Sequence, residues 1–95
     1  MANVVIFGIG QMGTPIAYAM SKLGHKLTLV DYSREAFQIA DALIDNPTDK
    51  ETVMNLGVSA SDIIKGKDLV ISALPYHKTE IIAKAAIKLS VPYCD

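Results

Sequence analysis

VVIFGIGQMGTPIAYAM, residues 4–20, decides how the rest of the chain is read. Val4 to Phe7 is a continuous apolar run, rich in β-branched residues and stopped by Gly8, the composition of a strand buried on both faces. From Gln11 to Leu23, Met12, Ile16, Met20 and Leu23 recur at helical spacing; Pro15 falls in the first turn, where its missing N–H costs little, and Gly24 ends the run. A strand, a tight turn and a helix with one buried stripe are predicted.

The same alternation continues. Leu27 to Val30 is strand-like and ends at Asp31, after which Ser33 is the expected N-cap of a helix through about Ile44, with Phe37, Ala40, Leu43 and Ile44 facing inward. Between Asp45 and Gly66 two capping-box patterns compete, Thr48-x-x-Glu51 and Ser59-x-x-Asp62. The alternation of Met54, Leu56 and Val58 predicts a short third strand within Thr52 to Val58, followed by a single-turn helix across Asp62 to Lys65. Asp68 to Ala73, DLVISA, is a buried strand that must end by Leu74 because Pro75 follows. From Lys78 to Leu89, Ile81, Ile82, Ala85, Ala86 and Leu89 share one helical face, and Lys78, Glu80, Lys84 and Lys88 lie away from it. Val91 to Cys94 predicts a last strand. Strands alternating with helices imply right-handed crossovers and a parallel sheet, so the fold class is α/β, Rossmann-like and doubly wound.

The totals bound the rest. Ninety-five residues, 51% hydrophobic and 20% charged, make one compact domain and no more, without repeats or low-complexity tracts. A net charge of -1 excludes the basic field that nucleic acid or an anionic membrane would require. The single cysteine, Cys94, cannot close an intrachain disulfide; it is expected to be a small buried apolar residue in a protein of the reducing cytoplasm. Met1-Ala2-Asn3 carries no basic start and precedes no long hydrophobic stretch, so neither export nor membrane spanning is expected.

Gly8-Ile9-Gly10-Gln11-Met12-Gly13 is G-x-G-x-x-G, weak alone and stronger in context. It follows a predicted strand, opens a predicted helix, and is followed by Asp31, 18 residues beyond Gly13, at the end of the next strand. Gly8 allows the sharp turn, Gly10 leaves no side chain between the helix N-terminus and a pyrophosphate, and Gly13 lets the helix lie close to the sheet. Backbone N–H groups and the helix dipole favour an anion there. No G-K-[ST] follows the glycines, which disfavours a nucleoside-triphosphate hydrolase. Asp31 is expected to accept hydrogen bonds from the adenosine ribose and to repel a 2′-phosphate, which makes NAD the expected cofactor rather than NADP. Arg34 tempers this, because a guanidinium can hold a 2′-phosphate, although a solvent-exposed Arg34 is the expected state.

SALPYH, Ser72 to His77, falls at the carboxyl end of the strand expected beside the first, on the side away from Asp31. Ligands of open α/β sheets sit outside such strand ends where the winding reverses, so Ala73, Leu74 and Pro75 are expected to border the nicotinamide side.

The stretch DLVISALPYHKTEIIAKAAIKLSVPYCD, with the N-terminal VVIFGIGQMGTPIAYAM, resembles the nucleotide-binding domain of the saccharopine dehydrogenase family, which includes lysine ε-dehydrogenase-like enzymes. The resemblance covers the first and last thirds of the chain and is poor over 45–66. It implies nicotinamide-dependent oxidation of an amino acid's C–N bond, or reduction of an imine. It also implies Gly8, Gly10, Gln11, Met12, Gly13, Asp31, Ala73, Leu74 and Pro75 as cofactor-binding positions, with the substrate and catalytic groups in a later domain. GIGQMGTPIAYAMSKLGHKL is similar to the β-hydroxyacid dehydrogenase family as well, but IAKAAIKLSVPYCD is more like the saccharopine group.

Other side chains attract attention. His77 stands just past the cofactor-facing loop and is expected in solvent at a helix start, although an imidazole there could move a proton. His25 is expected in a surface turn, at the end of the sheet away from Cys94, so no metal site is expected. Tyr93 and Asp95 end the last strand on the ligand side, with Asp95 expected to be a frayed carboxylate. A sheet whose last strand has no closing helix leaves a raw edge, which predicts the N-terminal portion of a longer enzyme that binds NAD without turning substrate over. The alternative is a free-standing NAD-sensing module, which would share the same glycine loop.

Overall fold

The structure is a computed structural model in which the described residues are 1–31, 34–44, 49–52 and 56–95; within those segments the side chains of 34, 37, 39, 41, 43, 49–52, 56–59, 76 and 77 are outside the description. Five strands alternate with four helices: β1 (Asn3–Phe7), α1 (Gly13–Lys22), β2 (Lys26–Asp31), α2 (Arg34–Leu43), β3 (Asp49–Thr52), α3 (Leu56–Ile64), β4 (Leu69–Ser72), α4 (Tyr76–Lys88) and β5 (Tyr93–Cys94). The strands form one sheet in the order β3-β2-β1-β4-β5, and every pair is parallel. The expected doubly wound, Rossmann-like architecture is the observed one.

The period-2 geometry of the strands sorts their side chains between the two faces. Val4, Ile6, Leu27, Leu29 and Ile71 meet Ala17 and Ala40, with Ile16, Met20 and Ala36 packed around them, so α1 and α2 cover one face. Val5, Phe7, Val30 and Val70 meet Ala60, Ile63, Ile64, Ile82 and Ala86, so α3 and α4 cover the other. Each fully buried Val, Ile, Leu or Phe side chain stabilises the fold by about 1.5–3 kcal/mol relative to exposure. The winding therefore reverses between β1 and β4, at the end of the sheet where the glycine loop lies.

Two expectations change. The third strand, expected within Thr52 to Val58, is instead Asp49–Thr52, paired with β2 from Thr28↔Asp49 to Asp31↔Thr52. Its sequence is polar because it is a sheet edge, where charged residues discourage further pairing, so it shows no apolar alternation. Leu56 and Val58 belong to α3, and the single turn expected over Asp62 to Lys65 is the end of that nine-residue helix. Ala60, Ile63 and Ile64 recur at i, i+3 and i+4, and tertiary burial of that face overrides the local alternation. Met54, the competing Thr48 cap and the Ser33 cap lie outside the described residues.

The second change concerns α1. Its buried residues are Gly13, Thr14, Ala17 and Ser21. Met12 and Leu23, expected in the buried stripe, are 69% and 71% exposed, and Ile16 and Met20 only flank the core. The small side chains face the sheet because α1 begins almost in contact with β1, leaving no depth for larger ones.

Ala17→Leu is accordingly expected to overpack this face and destabilise the protein by about 1–3 kcal/mol. Leu23→Ala is expected to change stability by less than about 0.5 kcal/mol, and urea unfolding of both variants distinguishes the two faces.

Candidate functional site

Register builds the site. Phe7 pairs with Val30 on one side and with Ser72 on the other. The next residues, Asp31 at the end of β2 and Gly8 and Ala73 just past β1 and β4, thus lie side by side at the carboxyl ends of three adjacent parallel strands. Gly8 N–H donates to the Val30 carbonyl at 2.8 Å, and Ala73 N–H donates to the Phe7 carbonyl at 2.8 Å, extending the ladders one step past the strands.

Gly8 turns the chain at φ +94, in the left-handed region. A Cβ on Gly8 would sit 3.0 Å from the Ala73 carbonyl carbon and oxygen and 3.1 Å from Leu74 Cδ2, so the loop and the Ala73–Leu74 backbone pack directly together. A Cβ on Gly13 would sit 1.7 Å from the Gly8 carbonyl oxygen. Helix α1 consequently starts against the turn itself. Gly10 differs: it is exposed, and a Cβ there would meet nothing within 4 Å. Gln11 and Met12 are also exposed. Met12 caps the helix without a side-chain hydrogen bond, and the first turn of α1 holds no acidic residue. These features suit an anion at the helix N-terminus, with space for it above Gly10.

Asp31 is buried, 8% exposed, and its Oδ2 accepts the Ile9 N–H at 2.7 Å. The carboxylate therefore ties the glycine loop to the end of β2. Ala73 and Leu74 are half-buried, and Pro75 is exposed at the N-cap of α4 with ψ 148, the extended geometry that a proline supplies. Of the nine expected cofactor-binding residues, Gly8, Gly13, Ala73 and Leu74 are brought into contact, Asp31 joins them through Ile9, Gly10 and Gln11 line an open cleft, and Met12 and Pro75 are exposed.

A cleft of about 480 Å³ opens between α1 and α2, lined by Ile9, Gly10, Gln11, Thr14, Pro15, Glu35 and Ala36. Ile9, Thr14, Pro15, Glu35 and Ala36 were not among the expected residues. Glu35 stands four residues beyond Asp31, where the first turn of α2 brings it back toward the glycine loop; that spacing was the available signal.

The other side of the loop is held by hydroxyls. Ser72 Oγ, buried, is hydrogen-bonded to Thr79 Oγ1; Thr79 Oγ1 lies 2.9 Å from Tyr93 Oη; and Tyr93 Oη donates to Asp95 Oδ2 at 3.1 Å. Each hydroxyl has one proton, so Tyr93 donating to Asp95 makes Thr79 the donor to Tyr93 and Ser72 the donor to Thr79. The series joins the ends of β4 and β5 to the first turn of α4, bracing the Ala73–Pro75 connection. Tyr93 and Asp95 lie at this end as expected, but Asp95, expected to be a frayed carboxylate, is held by the Tyr93 hydroxyl, and the link to Ser72 and Thr79 was not foreseen.

Two further side chains lie away from the loop. Cys94 is exposed rather than buried, because β5 is a two-residue strand at the sheet edge. His25 is half-buried and accepts the Ala2 N–H on Nδ1 at 3.1 Å, at the amino ends of the strands, remote from the loop. The side chains of Arg34 and His77 lie outside the described residues. Among the described residues no three metal-ligating side chains converge, and no helix is long and apolar enough to cross a membrane.

A sequence profile described as the saccharopine dehydrogenase NADP-binding domain matches residues 4–95. The chain belongs to that family. The family match follows the first of the two resemblances and extends it across 45–66. Among solved structures, saccharopine dehydrogenase (L-Glu forming) from Saccharomyces cerevisiae superimposes with a TM-score of 0.78 at 18% identity, covering 98% of this chain and 21% of that one. The C-terminal domain of Kef from Shewanella denitrificans, in an AMP-bound form, gives 0.71 at 20% identity, covering 96% and 56%. RSP in complex with β-NADH gives 0.66 at 19% identity, covering 99% and 44%. At these identities the likeness is one of fold. The chain spans about a fifth of the length of the yeast enzyme, 21%. No curated protein matches it significantly in sequence.

The geometry separates the glycines. Gly13→Ala is expected to clash with the Gly8 carbonyl and lower stability by about 3 kcal/mol or more, because backbone must move. Gly10→Ala is expected to leave urea-induced unfolding within about 1 kcal/mol of wild type while abolishing dinucleotide binding, since its methyl enters the space above the helix N-terminus. Asp31→Ala strands the buried Ile9 N–H and is expected to lower the stability of the cofactor-free protein by about 1–3 kcal/mol, measured by the same unfolding.

Proposed function

We propose that this chain binds NAD across the carboxyl ends of β2, β1 and β4, as the cofactor-binding part of an oxidoreductase acting on the C–N bond of an amino acid. The observation that carries the proposal is the contrast between Gly10 and Gly13. A glycine forced by internal packing explains Gly13, but nothing in the fold itself crowds Gly10, and an incoming pyrophosphate would.

The other residues take roles on either side of it. N–H groups at the start of α1 orient the pyrophosphate, and the cleft edged by Ile9, Thr14, Pro15 and Ala36 has the size of a small-molecule site. Asp31 stands at the end of β2, and its carboxylate, held by the Ile9 N–H, is the group that would meet the adenosine ribose. Ala73, Leu74 and Pro75 present a compact, rigid border for the nicotinamide side, braced by the Ser72–Thr79–Tyr93–Asp95 hydroxyl series. When bound, nicotinamide accepts or returns a hydride. The family's dehydrogenase chemistry supports the oxidoreductase assignment, and the amino-acid substrate would be held by residues outside this domain. A cytoplasmic location agrees with the exposed, unpaired thiol of Cys94.

A second reading is a nucleotide-sensing module, in which the bound ligand shifts a partner's state without reacting. The likeness to the AMP-bound Kef domain supports it.

Calorimetric titration of the folded protein with NADH, NADPH and AMP is the test. Heat with NADH, and no reduction of NAD⁺ when amino acids are added, is the expected result. No heat with either dinucleotide at demonstrably folded protein overturns the proposal, and tight binding of AMP with none of NADH favours the sensor.

A further inference from the structure

We propose that Glu35, at the first turn of α2, is the residue that selects NAD over NADP by meeting the adenosine ribose at its 2′ position. The role rests on taking the cleft between α1 and α2 as the adenosine side of the dinucleotide site. Two carboxylates stand near that side, and the structure treats them differently. Asp31 is 8% exposed and engaged by the Ile9 N–H, so its position is set by the glycine loop. Glu35 is exposed and lines the cleft together with Gly10, Gln11 and Thr14, on the helix that follows the ribose-facing strand.

A Glu side chain in that place can accept a hydrogen bond from a 2′-hydroxyl. It would stand against a 2′-phosphate, which brings up to two further negative charges and no proton to share. Because Asp31 is tied down and Glu35 can adjust, discrimination falls mainly on Glu35. The inference runs against the cofactor in the family's description, which is NADP. A cation would be needed to hold that phosphate, and among the described residues the charged side chain in the cleft lining is the acid Glu35.

The test is titration of wild type, Glu35→Gln and Glu35→Lys with NADH and with NADPH, each variant first shown to unfold in urea as wild type does. Glu35 is exposed and outside the packed core, so the variants are expected to fold. Wild type is expected to bind NADH at least about tenfold more tightly than NADPH. Glu35→Gln is expected to tighten NADPH binding about five- to tenfold and to weaken NADH binding about three- to tenfold as the charge-assisted bond to the 2′-hydroxyl is lost, and Glu35→Lys to bring the two cofactors level or reverse their order. An unchanged NADH-to-NADPH ratio in Glu35→Gln, with binding intact, overturns the role of Glu35 and leaves the cofactor site standing. A wild type that prefers NADPH, and loses that preference in Arg34→Ala, overturns it in favour of the neighbouring arginine. Absence of binding by either cofactor to folded wild type removes the cleft assignment, and the selector with it.

Discussion

The start of α1 against the Gly8 carbonyl is the contact on which the rest of this molecule depends. A Cβ on Gly13 would lie 1.7 Å from that oxygen, so the approach exists only because residue 13 has none. From it follow the shallow separation between α1 and the sheet and the burial of Gly13, Ala17 and Ser21 instead of Met12 and Leu23. The loop between the two glycines is thereby pushed outward, leaving Gly10 exposed at the helix N-terminus. A packing constraint inside the domain and an opening on its surface are consequences of one geometry.

Polar contacts then hold the carboxyl end of the sheet on both sides of that turn. Toward β2, Asp31 takes the Ile9 N–H; toward β4 and β5, Ser72, Thr79, Tyr93 and Asp95 form a directed series of hydrogen bonds. Among the described residues no buried side-chain polar atom lacks a partner. Buried groups satisfied in this way stiffen the segments that carry them, whereas a single unsatisfied one would cost about 1–3 kcal/mol. A dinucleotide site needs such stiffness, because its recognition relies on backbone groups held at fixed positions more than on long side chains.

Family and fold agree here, yet they leave different questions open. The match over residues 4–95 establishes the family, and the similarity to the yeast enzyme, the Kef domain and the NADH-bound RSP establishes a shared fold across proteins of different kinds. Cofactor preference depends on which side chains meet the ribose, and a shared fold does not specify them. In this chain Glu35 lines the cleft between α1 and α2 and Asp31 holds the glycine loop, and neither the fold nor the family's description dictates what those two carboxylates do.

By itself the sequence determined the order of strands and helices at both ends, the parallel doubly wound sheet and the glycine turn. Those features rest on local signals: apolar runs, Gly and Pro punctuation, and helical periodicity within a dozen residues. It could not determine β3, whose polar residues pair through backbone groups with β2, nor α3, whose inward face becomes apolar by meeting α4 and the sheet. Only tertiary structure decided which face of α1 is buried, because depth beneath a helix is set by how closely it approaches its neighbour. The same holds for Asp31, whose attachment to Ile9 joins residues 22 apart, and for the link from Ser72 to Tyr93. Such contacts depend on strand register and winding order, quantities that no local pattern of side chains contains.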